Sequence, residues 1–270
     1  MWREKLMQVT LCEDRPILTP CSLEGINYQV DTYVGCEHYC YYCYVLPQAE
    51  TDWSKEVQMH ADIIERLGRQ LESIPPQTIY LGYHSDPYQP CEAYCLQTRK
   101  VLELLQQRGF SATILTKSDL VVRDLDILQA MERAAVSVSV AFNDDHTYRL
   151  FEAKTIETSR RIEGLRQVKA AGVKTGSLLC PIIPGVTDAP ALLERLIPVA
   201  DEIWVYGLSF SAQSDQSWQN TRDIIRRHFP ELLEQVEQVV FTKGHSYWSD
   251  LAKNLEIIKE KQNMNVHVYV

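Results

Sequence analysis

The run Gly35-Cys-Glu-His-Tyr-Cys-Tyr-Tyr-Cys-Tyr44 places three cysteines within eight residues, directly after an apolar stretch with the composition of a β-strand. Cys36, Cys40 and Cys43 follow Cys-x3-Cys-x2-Cys spacing. Thiolates are soft ligands that favour iron–sulfide centres, so three of them at this spacing can hold three corners of a four-iron cluster. No fourth cysteine follows in the same loop, which leaves one iron open to a small molecule. The run therefore predicts a 4Fe-4S centre that the protein ligates incompletely.

Two other uses of these cysteines compete with the cluster. A structural zinc site takes four ligands, usually as two separated pairs. Cys91 and Cys95 could complete such a site, whereas His38 lies too close in sequence to its neighbours, so zinc stays open as an alternative. Disulfides are disfavoured, because residues 1–6 lack the apolar region of a signal peptide and no run approaches the length of a membrane span. We expect a cytoplasmic protein with reduced thiols and no membrane partner.

The composition is that of a globular chain that can bury a large core. Hydrophobic residues make up 45% of the chain and the net charge is −9, which disfavours a general nucleic-acid binder because such proteins carry a basic surface. Basic clusters occur at Arg160-Arg161 with Arg166 and Lys169, and at Arg222 with Arg226-Arg227-His228. Each lies on a predicted helix beside acidic residues, so we interpret both as solvent-exposed helix faces.

Strand-like and helix-like segments alternate along most of the chain. Strands are predicted at 26–34, 78–82, 112–116, 136–142, 173–183 and 202–208, with a last one at 266–270. Apolar residues recur at helical spacing from Val57 onwards, which predicts the first helix there. Gly172 is predicted to end a later helix and Asp188 to cap the start of the next one. Six β-then-α units favour a parallel sheet with helical crossovers. We therefore predict an α/β fold, a partial (β/α)6 TIM-type barrel over 28–212, with an N-terminal lead-in over 1–27 and a C-terminal helical extension over 213–270.

Polar side chains follow the carboxyl ends of the predicted strands, where parallel barrels carry their chemistry. His84-Ser-Asp86 follows the second strand and Lys117 follows the third. A lysine that closes an apolar strand favours an anionic or oxygen-rich ligand. On the fourth strand, Ser137 and Ser139 share one face at period two and can line the inside of the barrel. Cys180 lies in an apolar strand, so we expect it to be a buried, small hydrophobic residue.

Seven blocks of sequence, in order, resemble the spore photoproduct lyase-related branch of the radical SAM superfamily. They are Ile17-Leu-Thr-Pro20, Tyr33-Val-Gly-Cys-Glu-His-Tyr-Cys-Tyr-Tyr-Cys-Tyr44, Ser85-Asp-Pro-Tyr-Gln-Pro90, Thr116-Lys-Ser118, Arg123-Asp-Leu-Asp126, Val136-Ser-Val-Ser139 and Pro181-Ile-Ile-Pro-Gly-Val-Thr-Asp188. Three-cysteine ligation with one open iron is the hallmark of that superfamily. The likeness extends from about Ile17 to Asp188.

The resemblance implies a radical SAM enzyme. Cys36, Cys40 and Cys43 would ligate a 4Fe-4S cluster, and S-adenosylmethionine (SAM) would chelate its open iron. The resemblance places five cofactor-binding residues near SAM, namely Tyr42, Ser85, Asp86, Lys117 and Ser139; capping of the turn at Pro87 is the alternative role for Asp86. An electron from a donor such as a flavodoxin or a ferredoxin would cleave SAM to methionine and a 5′-deoxyadenosyl radical, which abstracts hydrogen from a substrate that the sequence does not identify.

One position departs from the lyases. They carry a cysteine hydrogen donor directly before a Thr-Ser-Asp segment, and Tyr83 stands at that place in this chain. Tyr83, Tyr44, Cys91 and Cys95 are therefore the candidates for a catalytic hydrogen relay, and Cys91 and Cys95 could instead hold part of a second cluster or pack a helix. The mixed charge of the C-terminal region and the energy needed to extrude a base disfavour a nucleic-acid lesion lyase, which stays an alternative. A non-catalytic iron–sulfur electron-transfer or sensing protein is the alternative from another class.

Overall fold

An eight-stranded, mostly parallel sheet forms the centre of the protein. The structure, a computed structural model, describes residues 7–262 and 264–270. Its strands are β1 (Gln8–Cys12), β2 (Leu18–Pro20), β3 (Tyr28–Val30), β4 (Tyr33–Val34), β5 (Glu56–His60), β6 (Thr78–Leu81), β7 (Ser111–Thr116), β8 (Ala135–Val140), β9 (Lys174–Ile182), β10 (Glu202–Gly207) and β11 (Asn265–Tyr269). The sheet has the order β2-β3-β6-β7-β8-β9-β10-β11, and all neighbours are parallel except β2 and β3. A second sheet has the order β1-β5-β4.

Helices connect consecutive strands from β6 to β11, as parallel pairing requires. They are α1 (Ile63–Leu71), α2 (Glu92–Cys95), α3 (Gln97–Gln107), α4 (Leu125–Leu128), α5 (Tyr148–Phe151), α6 (Thr158–Ala170), α7 (Ala189–Leu196), α8 (Gln216–His228), α9 (Leu233–Phe241) and α10 (Ser246–Gln262). Short 3-10 turns occur at Leu46–Gln48, Leu120–Asp124 and Pro230–Leu232. The apolar core includes Ile79, Leu81, Ile114 and Val136 on the strands and Val101 and Leu105 on α3, all fully buried. The predicted α/β fold is confirmed.

The strands β6 to β10 lie within two residues of their predicted positions. Two predicted helix ends are also confirmed by their local geometry. Asp188 Oδ1 accepts a hydrogen bond from the Ala191 N–H at 3.1 Å and so caps the start of α7. Gly172, with φ +79°, follows the end of α6 in the left-handed conformation that glycine adopts without strain.

Two predictions near the first strand are wrong. The strand expected at 26–34 is divided into β3, which belongs to the large sheet, and β4, which pairs with β5 in the small one. The helix expected from Val57 begins only at Ile63, because residues 56–60 form β5. Val57 is fully buried against Tyr33, and β5 pairs with both β1 and β4. This pairing on two sides stabilises a strand where the apolar spacing alone predicts a helix.

The large sheet curls, so that its inner face is concave. Ile79 and Leu81 on β6 belong to the helix-covered core, so Tyr80 between them lies on the inner face. Tyr206 on β10 follows the core residue Val205 and lies on the same inner face. In the described part of the chain, β2 and β11 are the two edge strands of the sheet and do not pair with each other. The barrel is therefore partial, as predicted.

The terminal segments add to both edges of the sheet. Residues 1–6 of the predicted lead-in, on which the signal-peptide argument depends, lie outside the described residues, and the rest contains β1 and β2. In the segment 213–270, the strand predicted at 266–270 is confirmed as β11, which pairs with β10 and extends the sheet beyond the helices. Trp218 on α8 is fully buried between Phe210 and Phe241. Across the described ranges, no helix is both long enough and apolar enough to cross a bilayer.

Candidate functional site

The three cysteines lie on one loop that follows β4. Cys40 is buried, whereas Cys36 and Cys43 are partly accessible. The loop begins at Gly35, which has φ +89° and lies against the Trp53 ring; a Cβ atom there would stand 3.0 Å from the indole nitrogen. Glycine is therefore required for both the backbone conformation and the close contact.

Hydrogen bonds hold the cysteine loop from three sides. On one side, the Gln89 side chain accepts from the Glu37 N–H at 2.7 Å and donates back to the loop backbone at 3.1 Å. On the second side, residues 151–154 form backbone hydrogen bonds with residues 38–41. On the third, Ser217 Oγ donates to the carbonyl of the third cysteine at 2.7 Å. Segments that are distant in sequence thus fix the loop, so the fold as a whole sets its conformation.

Burial raises the pKa of all three cysteine thiols and is the largest effect. The backbone N–H groups of His38 and Asp86 lower the pKa of Cys36, and those of residues 45–46 lower the pKa of Cys43. The loop therefore disfavours free thiolates, yet it supplies the donors that stabilise thiolates bound to a metal centre.

The donor set of the loop is three cysteines. Among the described residues, no three His, Cys, Asp or Glu side chains are placed to hold one metal ion. Thiolates around a single Zn²⁺ lie about 4 Å apart, whereas an iron–sulfur cluster binds each thiolate to a different iron and so spaces them more widely. Three cysteines without a fourth converging ligand are the donor set that suits an iron–sulfur centre with an open position.

A buried carboxylate that the sequence analysis missed lies beside the loop. Glu152 forms an ion pair with Arg161, and both side chains are inaccessible to solvent. Glu152 Oε1 also accepts from the Tyr42 hydroxyl and lies 3.3 Å from Lys117 Nζ. Burial opposes ionisation of Glu152, but Arg161 and Lys117 outweigh it and hold the pKa of Glu152 well below its usual range. The three charges leave one net positive charge buried at the edge of the cysteine loop.

The burial of Arg161 corrects one prediction. The exposed helix face predicted for α6 is confirmed for Arg160 and Arg166, whose side chains are 56% and 54% exposed, but Arg161 is 0% exposed. On α6, Arg161 shares the inward face with Ile162 and Leu165. The helical spacing could therefore have predicted the burial of Arg161, because Arg161 lies on the same helix face as the buried apolar residues. A charged side chain on that face needs a buried partner of opposite charge.

Lys117 extends onto the inner face of the sheet. Its Nζ donates to Ser139 Oγ at 2.6 Å and lies 5.6 Å from the centroid of the Tyr42 ring. An ammonium group has three donors; Ser139 and Glu152 take two of them, and the third is available to a ligand. Three of the five predicted SAM-binding residues, Tyr42, Lys117 and Ser139, therefore meet beside Cys40.

The other two predicted SAM-binding residues are engaged by the chain itself. Ser85 Oγ donates to a backbone carbonyl of β4 at 2.8 Å. Asp86 Oδ1 accepts from Thr116 Oγ1 at 2.7 Å and from the Tyr88 N–H at 2.8 Å, while Oδ2 accepts from the Lys117 N–H at 2.7 Å. The bond from the Tyr88 N–H caps the turn at Pro87, which is the alternative role that the sequence analysis gave for Asp86. The other two bonds connect the loop that follows β6 with the end of β7 and the loop after it.

The relay candidates fall into two separate places. Tyr44 Oη donates to the Tyr83 carbonyl at 2.5 Å, with the ring centroids 6.5 Å apart. Cys91 is fully buried beside Cys95 in the small apolar cluster that contains Tyr33. Burial raises the pKa of both cysteine thiols. The structure therefore brings the two tyrosines together and places the two cysteines in a separate apolar cluster.

Cys180 differs from its expected role. It is partly accessible rather than buried, and its carbonyl oxygen is the second contact of Ser139 Oγ, at 3.4 Å. Burial raises the pKa of its thiol to about 11; the charge of Lys117 lowers it, and Cys43 raises it. Cys180 thus borders the space between the cysteine loop and the inner face of the sheet.

Comparison with known proteins gives a family match. The family model described as the radical SAM superfamily matches residues 30–196. An uncharacterised protein of Mycobacterium tuberculosis is 28% identical over 230 residues, which cover 79% of this chain and 67% of the relative. The spore photoproduct lyase of Clostridium acetobutylicum is 23% identical over 207 residues, which cover 76% of this chain and 61% of the lyase.

A solved structure gives a match at the level of the fold. A spore photoproduct lyase variant with bound AdoMet and a dinucleoside spore photoproduct superposes with a TM-score of 0.64 at 15% identity, and the match covers 96% of this chain and 81% of the lyase. At this identity the likeness concerns the arrangement of strands and helices.

Proposed function

Because the chain belongs to the radical SAM superfamily, we propose that it is an enzyme that uses a 4Fe-4S cluster and SAM to abstract hydrogen from an organic substrate. The observation that carries the proposal is the cysteine loop, fixed from three sides and placed against the buried cation of Lys117. A loop that only packed the fold would not need a net positive charge beside it.

The residues of the site fit both cofactors. Cys36, Cys40 and Cys43 would ligate the cluster, and the N–H groups near two of their sulfurs would stabilise the thiolates. The third donor of Lys117 would bind the carboxylate of SAM, which the net positive charge at Glu152 also favours. When bound, the cluster and SAM supply a one-electron cleavage that gives methionine and a 5′-deoxyadenosyl radical.

The side chains around Lys117 would orient the ligand rather than react with it. Glu152 holds both the Tyr42 hydroxyl and the Lys117 ammonium, and Ser139 accepts from the same ammonium. Because Glu152 is itself fixed by Arg161, the cation has little freedom to move. A preorganised cation costs little reorganisation when the ligand binds.

We place the hydrogen relay at the tyrosine pair on the rim. Tyr44 follows the third cysteine directly, and its hydroxyl reaches the Tyr83 carbonyl. The tyrosine at position 83 stands where the lyases carry their cysteine donor, so the phenol of Tyr83 or of Tyr44 would give a hydrogen atom to the substrate radical and become a tyrosyl radical. Cys91 is buried and Cys95 partly buried in the cluster that contains Tyr33, so they serve the relay less well.

Anaerobic reconstitution with iron and sulfide tests the cluster ligands. Cys36→Ala, Cys40→Ala and Cys43→Ala should each lose most of the brown chromophore, while Cys12→Ala at the end of β1 is the matched control that keeps it. Retention of a full cluster by all three loop variants would refute the ligand assignment, and a colourless wild-type protein that binds zinc would favour the zinc alternative.

Product analysis tests the reaction. The reconstituted protein, incubated with SAM and dithionite, should release 5′-deoxyadenosine, and a flavodoxin or ferredoxin with its reductase should replace dithionite. A cluster that is reduced without any cleavage of SAM would instead support the electron-transfer or sensing alternative. Deuterated candidate compounds that pass deuterium to 5′-deoxyadenosine would identify the substrate.

A further inference from the structure

Two stacked aromatic pairs line one edge of the concave sheet face. Tyr206 on β10 and Tyr269 on β11 are partners in the parallel ladder, with ring centroids 5.1 Å apart and planes at 11°. The next pair along the same strands, Trp204 and His267, has centroids 5.8 Å apart and planes at 17°. Tyr206 is only partly buried and Tyr269 is 55% exposed, so this wall is not part of the closed core.

Trp204 lies two residues before Tyr206 on β10 and limits the space in front of this wall on the side where the strand begins. A Cβ atom on Gly176 of β9 would lie 2.8 Å from the Trp204 ring and 2.5 Å from Ser137 Oγ. The indole and the serine therefore meet over Gly176, which has no side chain to separate them. This contact forms a floor at the level of Gly176. Above the floor, Leu178 of β9 pairs with Trp204, and the next position of β9 on the same face, in front of Tyr206, is Cys180.

The space above the floor joins the proposed cofactor site. A register shift between β9 and β10 brings Tyr206 opposite residues 180–181, and Cys180 presents a small thiol there. Ser139, which contacts the Cys180 carbonyl, is the residue that accepts from Lys117. Tyr80 on β6 alternates with the core residues Ile79 and Leu81, so its side chain lies on the same inner face of the sheet. The wall therefore faces a chamber bordered by hydroxyl and thiol groups, with Lys117 at one end.

We propose that Tyr206, backed by Tyr269, is a stacking wall that binds an uncharged, planar heteroaromatic ring of the substrate over Cys180, next to the SAM site. The inference rests on the proposed function for the identity of its neighbour, but ring binding is measured separately from catalysis. Because two parallel rings already stand face to face, a further planar ring can continue the stack towards β9. The Ser139 hydroxyl and the Cys180 thiol suit the polar edge of such a ring, and the two stacked tyrosines offer no charged group to pair with an ionic ligand.

A planar probe and its saturated counterpart test the wall. Uridine and 5,6-dihydrouridine carry the same polar groups and no charge, but only uridine has a flat aromatic ring. Calorimetric titration of the cluster-loaded protein with SAM present should show that uridine binds about tenfold more tightly, since stacking on an aromatic side chain is worth on the order of tenfold or more in affinity. Tyr206→Leu should abolish this preference, while Tyr206→Phe should keep it within about twofold because the ring remains.

The outcomes separate this inference from the proposed function. Equal affinity for both probes, no binding of uridine, or an unchanged preference in Tyr206→Leu overturns the stacking wall. A wild-type protein that cleaves SAM but shows no preference refutes the wall alone, whereas a protein that prefers uridine but never cleaves SAM refutes the proposed reaction alone. If Tyr206→Leu does not fold, as judged by circular dichroism, the preference of the wild-type protein and Tyr269→Leu decide the question.

Discussion

Replacing Glu152 by Gln should destabilise the protein strongly. The substitution keeps the size of the side chain and one acceptor oxygen, but it removes the charge shared by Arg161 and Lys117. Arg161 and Glu152 are 0% exposed and Lys117 is 15% exposed, so Arg161 cannot recover the loss by contacting water and Lys117 can do so only in part. Breaking a buried ion pair by removing one partner costs about 3–5 kcal/mol. Because two cations depend on this one carboxylate, we expect a loss in the upper half of that range.

Urea unfolding of the cluster-free protein measures the loss. The free energy of unfolding is obtained by linear extrapolation, and equal slopes in wild type and variant show that the same surface unfolds. Glu163→Gln is the matched control on the same helix as Arg161. Glu163 pairs with Arg166, both side chains are 54% exposed, and such surface pairs contribute about 0.5 kcal/mol.

A double variant separates the effect of the unpaired charge from a general defect. Glu152→Gln combined with Arg161→Met removes one cation together with the anion, so its loss should be smaller than the sum of the two single losses. Additive losses would contradict the coupling. A loss for Glu152→Gln within about 1 kcal/mol of the Glu163→Gln control would refute the argument that these charges depend on one another.

Further predictions concern three other positions. Lys117→Met should weaken SAM binding by about tenfold to hundredfold without loss of iron, since it removes a charge-assisted hydrogen bond, and an unchanged dissociation constant would exclude Lys117 from the site. Gly82→Ala should cost about 3 kcal/mol or more in urea unfolding, because its φ is +102° and its Cβ would lie 2.2 Å from the Leu115 carbonyl oxygen; a wild-type midpoint would contradict this. The hydrogen bond to Asp31 raises the pKa of His84, so this pair stabilises the fold below the ordinary histidine range and loses that contribution as the pH rises through the raised pKa. Asp31→Asn should therefore lower the His84 pKa in an NMR titration, and an unmoved midpoint would count against the pairing.

The central strands could be predicted from the sequence because each is a short apolar run bounded by turn residues. This holds for β6 to β10, whose partners also follow in chain order. The small sheet could not be predicted in the same way. Its strand β5 is stabilised by β1, about fifty residues earlier in sequence, and by the two-residue strand β4. Pairings of this kind leave no local period, and the apolar spacing after Val57 is equally compatible with a helix.

The site could be predicted where local chemistry is unusual. Three cysteines in one loop and a lysine after an apolar strand both stand out against their neighbours. Glu152 does not, because its burial depends on Arg161 and on the cysteine loop, neither of which is close in sequence. Cys180 was misjudged for a different reason. Strands of a parallel sheet are apolar on both faces, so alternation along β9 does not tell the inner face from the outer one.

The contacts of Glu152 join two parts of the site that the sequence presents as unrelated. Its backbone forms a bridge with Cys40, and its carboxylate holds the Lys117 ammonium. A shift of this one residue would therefore move a cluster ligand and the proposed SAM-binding cation together. Arg161 also donates to the Ser139 carbonyl at 3.0 Å, which ties the same group to β8. Because these links are short and buried, the distance between the cysteine loop and Lys117 is set by the core of the fold rather than by a mobile loop. Fixing two binding groups relative to each other before a ligand arrives is what preorganisation requires, and it explains why a carboxylate is kept at a place where burial opposes its charge.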